Sequence, residues 1–202
     1  MKTLMLILMM VISPLSLAQS PASGPKQTPE QILFSDPATP RFGAKDARLT
    51  LVSFTDYNCP YCKQFDPLLE RLVKENPEVA VVIKLLPFRG TSSISAGRAA
   101  LTIWEQQPDK FMALHQRLMA KKGPQDEESI DAAIAKVGLA PVKVTPESYL
   151  QLKTNVEIAE VLGIQGTPAT IIGDQLVAGA ISYEDLNKLV KAQLAKVQNG
   201  KS

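Results

Sequence analysis

Apolar positions divide the chain into two sheet-forming halves with a long helical stretch between them. In the first half, residues 49–57 and 79–86 are runs rich in β-branched and aromatic side chains, which predicts two strands. Five apolar residues between these strands recur at helical spacing: Phe65, Leu68, Leu69, Leu72 and Val73. A strand, a helix and a second strand in that order imply a right-handed parallel crossover. The pattern therefore predicts a βαβ unit over residues 46–92.

The C-terminal half has a different order of elements. Short apolar runs at 169–172 and 176–180 are split by Gly173-Asp174-Gln175, which predicts a β-hairpin. Ser182 then begins a last helix, with Asp185 as its capping partner. These elements predict a ββα unit over residues 164–202.

The stretch between the halves, residues 93–163, alternates helical periodicity with Gly and Pro breaks. Four helices are predicted in it, at 94–105, 110–121, 128–137 and 146–162. The predicted fold class is therefore α/β, with the βαβ and ββα units separated by an inserted helical domain.

The beginning of the chain indicates export. Lys2, the apolar run 4–12 and the small residues of Ser16-Leu17-Ala18 predict a signal peptide over 1–18 that is cleaved after Ala18. The apolar run is shorter than the roughly 20 residues that a bilayer requires, which argues against a retained anchor. Residues 19–45, rich in Pro, Ser and Ala, are predicted to be a flexible lead-in with one short helix starting at Thr28. We expect a periplasmic protein.

Charge and hydropathy narrow the class of partner. The net charge is +2 and becomes +1 when Lys2 leaves with the signal peptide. Such a balance gives no reason to expect a nucleic acid or an anionic membrane as a partner. No later segment is apolar enough to span a bilayer, so we expect no stable membrane insertion.

The two cysteines, Cys59 and Cys62, stand within four residues of each other. Exported proteins often use disulfides as structural bridges. Closing a four-residue loop stabilises a fold by only roughly 2 kcal/mol, against about 4.7 kcal/mol for a hundred-residue loop. A pair at this spacing is better suited to being oxidised and reduced repeatedly.

A metal site is the other interpretation of a cysteine pair. Structural zinc needs four ligands, and here one pair is accompanied by a single distant histidine, His115. Two thiolates suit Cu(I), and a copper-binding protective protein without redox turnover remains open as an alternative. We expect no metal in the enzyme and no cofactor.

The flanking pattern places the pair at a strand-to-helix junction. Cys59 falls at or just before the first turn of the helix, and Pro60 stands where a helix tolerates proline. Unpaired N–H groups and the helix dipole favour a thiolate at Cys59. Cys62, one turn further, is expected to be more buried and to resolve the mixed disulfide. Pro67 is predicted to lie inside this helix, because the apolar periodicity continues past it.

The segment Phe54-Thr55-Asp56-Tyr57-Asn58-Cys59-Pro60-Tyr61-Cys62-Lys63 resembles the active-site segment of DsbA-like periplasmic thioredoxins. Gly166-Thr167-Pro168-Ala169 resembles their cis-proline loop. The helical insertion is also typical of that group. Within it, residues 83–88 and the Thr-Pro loop are most similar to the suppressor-of-copper-sensitivity (ScsC) subfamily.

The resemblance implies further site residues. Thr167 and Pro168 are expected to face the cysteine pair and to bind an extended substrate segment through the backbone. Tyr61, which stands where strong oxidases of the family carry histidine, is expected to tune Cys59 together with Pro60. Ser53 occupies the position of the buried carboxylate found in many thioredoxins, and the sequence does not indicate what replaces that carboxylate.

The resemblance also implies partners and a direction. The leading hypothesis is a disulfide reductase or isomerase for exported cysteine-containing proteins, linked to copper tolerance and kept reduced by a membrane donor of the ScsB/DsbD type. A DsbA-type oxidase is the alternative. The short N-terminal tail favours a monomer.

Three further residues are predicted to have structural roles only. Lys84 interrupts an apolar strand and is expected to be an edge lysine whose ammonium reaches solvent. His115 is expected on a helix surface or partly hydrogen-bonded. Trp104 is expected to pack within the insertion.

Overall fold

The computed structural model describes residues 27–199. The predicted signal peptide, residues 1–18, lies outside the described residues. The helices are α1 (Pro29–Phe34), α2 (Pro60–Glu75), α3 (Thr91–Gln106), α4 (Pro108–Ala120), α5 (Glu127–Lys136), α6 (Pro146–Val161) and α7 (Tyr183–Asn199). The strands are β1 (Arg41–Gly43), β2 (Leu49–Thr55), β3 (Val79–Leu85), β4 (Ala169–Ile172) and β5 (Gln175–Ala178).

The strands form one mixed sheet in the order β1-β3-β2-β4-β5. β2 and β3 are parallel and are joined through α2, so the predicted crossover unit is present. The other pairings are antiparallel, with β4 and β5 forming the predicted hairpin. β2 lies at the centre, between β3 and β4, and its C-terminal end leads directly into the cysteine motif.

Alternating side chains of the central strands pack against helices on both faces of the sheet. On one face, Leu51 and Val81 belong to a buried cluster with α2 and α7. On the other face, Val52 and Phe54 pack with residues of α1 and α6. A strand that is buried on both faces carries few polar residues, which explains the almost continuous apolar run of β2 and β3.

Helices α3 to α6 form the predicted insertion, whose buried core contains Ile103, Phe111, Leu114 and Leu118. Trp104 packs against this core and makes an edge-on contact with Phe111. The α/β fold with a helical insertion is thus confirmed, and Pro67 lies inside α2 as predicted. The hairpin turn is tighter than predicted, since β5 already begins at Gln175.

The described part of the predicted lead-in contains α1 and β1. The short helix predicted to start at Thr28 is confirmed, whereas the strand β1 was not predicted. Thr28 caps α1 in a reciprocal capping box with Gln31. β1 pairs with β3, with Arg41 opposite Val82. The sequence contained the capping signal at Thr28, but a three-residue edge strand has too few positions to show a periodicity.

Lys84 explains how the lead-in is held, and here the prediction of a solvent-reaching lysine is wrong. The side chain is fully buried in β3. Its Nζ donates to the carbonyl of Ile32 at 2.7 Å and to Oγ1 of Thr39 at 2.8 Å, and it lies 4.0 Å from Oδ2 of Asp36. β1 pairs with β3 on its outer edge, and α1 lies beside it. The ammonium of Lys84 is therefore hydrogen-bonded to protein oxygens and does not reach solvent.

Candidate active site

The cysteine motif forms the first turn of α2. Cys59 is the N-cap residue, with extended backbone angles (φ −83°, ψ 117°), and Pro60 opens the helix. The N–H of Cys59 donates to the carbonyl of Asp56 at 3.0 Å, while the Cys59 carbonyl accepts from the N–H of Lys63 at 3.1 Å. No side-chain hydrogen bond caps this helix. The backbone groups of Tyr61 and Cys62 act on Cys59 and lower its pKa. Tyr61 projects outward, with 59% of the residue exposed.

The loop before β4 lies against the motif. The Thr167–Pro168 peptide bond is cis. The Cys59 thiol donates a hydrogen bond to the backbone carbonyl of Thr167, at 3.2 Å between Sγ and O. The carbonyl of Pro168 accepts from the N–H of Gly179, which fixes the loop to the end of the hairpin. The structure thereby brings together the two site segments that the sequence separates by about a hundred residues.

Both cysteines are free thiols, and exposure does not distinguish them, since 1% of each residue is exposed. Their electrostatic surroundings do. Burial by itself raises the pKa of the Cys59 thiol, but four hydrogen-bonding groups outweigh it and bring the pKa below its ordinary value. These groups are the Cys62 backbone, the Thr167 side chain, the Cys62 thiol and the Tyr61 backbone. The lowered pKa is the effect expected at a helix N-terminus.

Cys62 shows the opposite shift. Burial raises the pKa of the Cys62 thiol to about 12, and the neighbouring Cys59 acts in the same direction. Hydrogen bonds with the Thr167 and Thr55 side chains and with the Asp56 backbone oppose this rise without cancelling it. At neutral pH, Cys62 is therefore a protonated thiol, whereas Cys59 is the more readily ionised sulfur.

The neighbourhood of Cys62 shows what occupies the place of the missing buried carboxylate. Ser53 is buried within β2. The groups that act to lower the pKa of Cys62 on this side are the Thr55 side chain and the Asp56 backbone. The buried carboxylate of Asp56 is directed elsewhere, because it accepts from the N–H groups of Asn58 at 2.8 Å and Arg89 at 2.9 Å. The sequence analysis did not identify Thr55 or Asp56 as residues that act on Cys62.

A buried polar chain lies behind the motif and contains His115. The prediction of a surface position for this residue is wrong, because it has no exposed surface, and the alternative of a hydrogen-bonded histidine agrees with the structure. Its Nδ1 lies 2.9 Å from the Tyr57 hydroxyl, and its Nε2 lies 2.9 Å from Oδ1 of Asp66. A carboxylate only accepts hydrogen bonds, so Nε2 donates to Asp66, and Nδ1 forms a hydrogen bond with the Tyr57 hydroxyl. Burial, and then the charge of Asp66, raise the pKa of the Tyr57 phenol. These three side chains connect the loop before Cys59, which contains Tyr57, with α2 and α4.

Over residues 27–199, no group of three or more His, Cys, Asp or Glu side chains is arranged to hold a metal ion. Among the helices of the same residues, none combines the length and the apolar character that crossing a bilayer would require.

The motif is a CxxC dithiol at the start of a helix, and it lies beside a cis-proline loop at the same end of a mixed sheet. This arrangement defines the thioredoxin-fold class of dithiol proteins. Residues 50–191 match the DSBA-like thioredoxin domain family. Among curated proteins, disulfide bond formation protein D of Bacillus subtilis is 24% identical over 170 residues, which cover 77% of each chain.

Solved structures agree with this assignment. A periplasmic thioredoxin-like protein from Salmonella enterica serovar Typhimurium has a TM-score of 0.81 and 51% identity, covering 84% of this chain and 99% of its own. The catalytic domain of Proteus mirabilis ScsC has a TM-score of 0.81 and 53% identity, covering 82% and 94%. The chain belongs to the DsbA-like thioredoxin family and is a thiol–disulfide oxidoreductase.

Proposed function

We propose that this protein is a periplasmic disulfide reductase or isomerase for exported proteins, with Cys59 as the nucleophile and Cys62 as the resolving thiol. The observation that carries the assignment of roles is the opposite direction of the two pKa shifts, lowered at Cys59 and raised to about 12 at Cys62. The thiolate is the attacking species in thiol–disulfide exchange, and Cys59 is the sulfur that forms it.

The chemistry proceeds in two exchanges. The Cys59 thiolate attacks one sulfur of a client disulfide, a mixed disulfide forms, and the other client sulfur leaves as a thiolate. Cys62 then loses its proton and attacks the Cys59 sulfur, which releases the second client sulfur and leaves a Cys59–Cys62 disulfide. Two electrons have passed to the client. A dithiol donor in the membrane, of the ScsB/DsbD type, then reduces the Cys59–Cys62 disulfide by the same exchange, supplies two new electrons and is itself oxidised to a disulfide.

The loop at Thr167 and Pro168 supplies the docking site for the client backbone. The Thr167 carbonyl accepts from the Cys59 thiol at 3.2 Å, so a peptide paired with this loop lies beside the reacting sulfur. Pairing through the main chain makes little demand on client sequence, which suits an enzyme that acts on many proteins.

The residue between the two cysteines favours reduction or isomerisation over oxidation. Tyr61 stands between the cysteines and places no cation there, so the thiolate receives less stabilisation than a histidine would give. The likeness to the catalytic domain of Proteus mirabilis ScsC, at 53% identity, supports the link with copper tolerance that the sequence resemblance implies.

The experiment that tests the direction is the redox state of Cys59 and Cys62 in the native compartment. Cells are quenched with acid, free thiols are alkylated with a mass tag, and strains with and without the membrane reductase are compared. A pair that is mostly reduced, and becomes oxidised when the reductase is deleted, supports this proposal. A pair that is oxidised in both strains contradicts it.

The latter outcome would support the alternative of a DsbA-type oxidase, to which the likeness to disulfide bond formation protein D gives weight. The Cu(I)-binding alternative rests on the two adjacent free thiols. It requires tight Cu(I) binding by the dithiol together with failure to reduce insulin or to refold scrambled ribonuclease.

A further inference from the structure

The turn between α4 and α5, residues 121–125, contacts the cysteine motif from the insertion side. Lys63, the residue after Cys62, extends its ammonium into this turn. Its Nζ donates to the carbonyl of Lys121 at 2.5 Å and to that of Gly123 at 2.7 Å. A lysine in the first turn of a helix usually reaches solvent, and this one is bound to the backbone of another domain.

The residue on the other side of the motif contacts the same turn. Asn58, immediately before Cys59, accepts from the N–H of Gln125 at 2.6 Å through Oδ1. Its amide nitrogen donates to the hydroxyls of Ser92 at 2.8 Å and Ser93 at 3.0 Å, at the beginning of α3. Asn58 is buried, and its bonds with Gln125 and Ser93 are shielded from water, while the bond to Ser92 is partly buried. The insertion is thus hydrogen-bonded to the residues that flank the CxxC motif on both sides.

The bonds to Lys63 have an electrostatic consequence. The acceptor carbonyls lie where α4 ends, at the negative end of its dipole, which favours a cation at this place. Burial and the nearby Lys121 lower the pKa of Lys63, whereas Asp56 and Cys59 act to raise it. Lys63 lies one helical turn after Cys59, and its N–H donates to the Cys59 carbonyl at 3.1 Å. The bonds to the Lys121 and Gly123 carbonyls therefore hold a positive charge on the residue that follows the motif.

We propose that Lys63 and Asn58 are positioning residues of the redox centre: they hold the 121–125 turn against the motif, and the ammonium of Lys63 stabilises the Cys59 thiolate. This inference rests on the proposed role of Cys59 as the nucleophile. It also gives the helical insertion a part in setting the reactivity of a motif that lies in the other domain.

The test compares Lys63→Met, which keeps the length of the side chain and removes its charge, with Lys63→Arg. Lys74→Met is the matched control, because Lys74 is an exposed lysine near the other end of the same helix. The ionisation of the dithiol protein is followed by thiolate absorbance from pH 4 to pH 9. We expect Lys63→Met to raise the pKa of Cys59 and to slow its alkylation at pH 6 by about threefold or more. We expect Lys63→Arg to retain most of the wild-type rate.

If Lys63→Met titrates as Lys74→Met does, the electrostatic role is overturned. The positioning role is tested separately by hydrogen exchange, which does not depend on the thiol titration. Lys63→Met and Asn58→Ala should both increase exchange in residues 121–129 and leave α7 unchanged; unchanged exchange in that segment overturns the positioning role. The thiol titration and the hydrogen exchange do not depend on whether the protein reduces or isomerises disulfides. Failure of the proposed function would appear instead as a wild-type protein that exchanges no disulfides.

Discussion

The thiol of Cys59 donates a hydrogen bond to the backbone carbonyl of Thr167, a residue 108 positions further along the chain. This contact closes the active site, because it joins the start of α2 to the loop that enters β4. The Thr167 side chain also acts to lower the pKa of both thiols, although burial outweighs this effect at Cys62. Thr167 therefore shapes the site through its carbonyl and through its hydroxyl.

The hydroxyl of Thr167 can be tested apart from its carbonyl. Thr167→Val keeps the branched shape and the backbone but removes the hydroxyl, which acts to lower the pKa of Cys59. We expect the pKa of Cys59 to rise and its alkylation at pH 6 to slow by about threefold. Thr167→Ser keeps the hydroxyl and serves as the control, with a rate close to wild type. Equal rates in the two variants would show that the hydroxyl has no effect on the thiolate.

Tyr61 offers a test of the direction of the chemistry. Tyr61→His places a titratable cation beside the Cys59 thiolate, which stabilises the dithiol relative to the disulfide. We expect a more oxidising couple, by on the order of 30 mV at pH 6, measured by equilibration with glutathione buffers. Tyr61→Phe removes only the hydroxyl and is the control. A Tyr61→His protein with the potential of Tyr61→Phe would refute this account of residue 61.

The backbone architecture and the reactive pair were predictable from the sequence, because both rest on local signals. The periodicity of β2, α2 and β3 and the spacing of Cys59 and Cys62 are read within one stretch of chain. The insertion helices show the same 3.6-residue periodicity, and the observed bounds differ from the predicted ones by at most three residues.

The polar contacts around the site were less predictable, because they join residues that are distant in sequence. Lys84 interrupts an apolar strand, and nothing near it indicates that Ile32 and Thr39 would supply its acceptors. His115 has apolar neighbours that suit a helix core, but its partners Tyr57 and Asp66 lie at least 49 positions away. Only the adjacency of Asn58 and Lys63 to the motif could have drawn attention to them.

The buried chain of Tyr57, His115 and Asp66 is expected to contribute to stability. His115→Phe preserves an aromatic ring but leaves the Asp66 carboxylate and the Tyr57 hydroxyl without their partner. We expect a loss of about 3 kcal/mol in the free energy of unfolding, measured by urea denaturation. Tyr57→Phe removes one hydrogen bond and leaves the bond between His115 and Asp66, so it should cost about 1 kcal/mol. Equal losses in the two variants would contradict this ranking.

Lys84 should give the protein a characteristic dependence on pH. Burial lowers its pKa to about 8, although Asp36 opposes the shift. Between that pKa and the unfolded value near 10.4, the unfolded chain binds more protons, so stability rises with pH. Relative to Lys84→Met, the wild type should gain on the order of 1 to 2 kcal/mol between pH 7.5 and 9.5.

The comparison with Lys84→Met removes the contributions of the cysteines and Tyr57, whose pKa shifts affect both proteins equally. Urea denaturation at several pH values provides the measurement. A difference between the two proteins that stays constant from pH 7.5 to 9.5 would show that Lys84 does not titrate in this range.

The division of labour between the two cysteines is tested most directly by trapping the mixed disulfide. Cys62→Ala and Cys59→Ala proteins are each incubated at pH 7 with a peptide disulfide, and the products are identified by intact mass and peptide mapping. We expect Cys62→Ala to accumulate the peptide on Cys59 and neither variant to reduce insulin. A Cys59→Ala protein that forms the adduct faster, or that still reduces insulin, would contradict the assignment of Cys59 as the nucleophile.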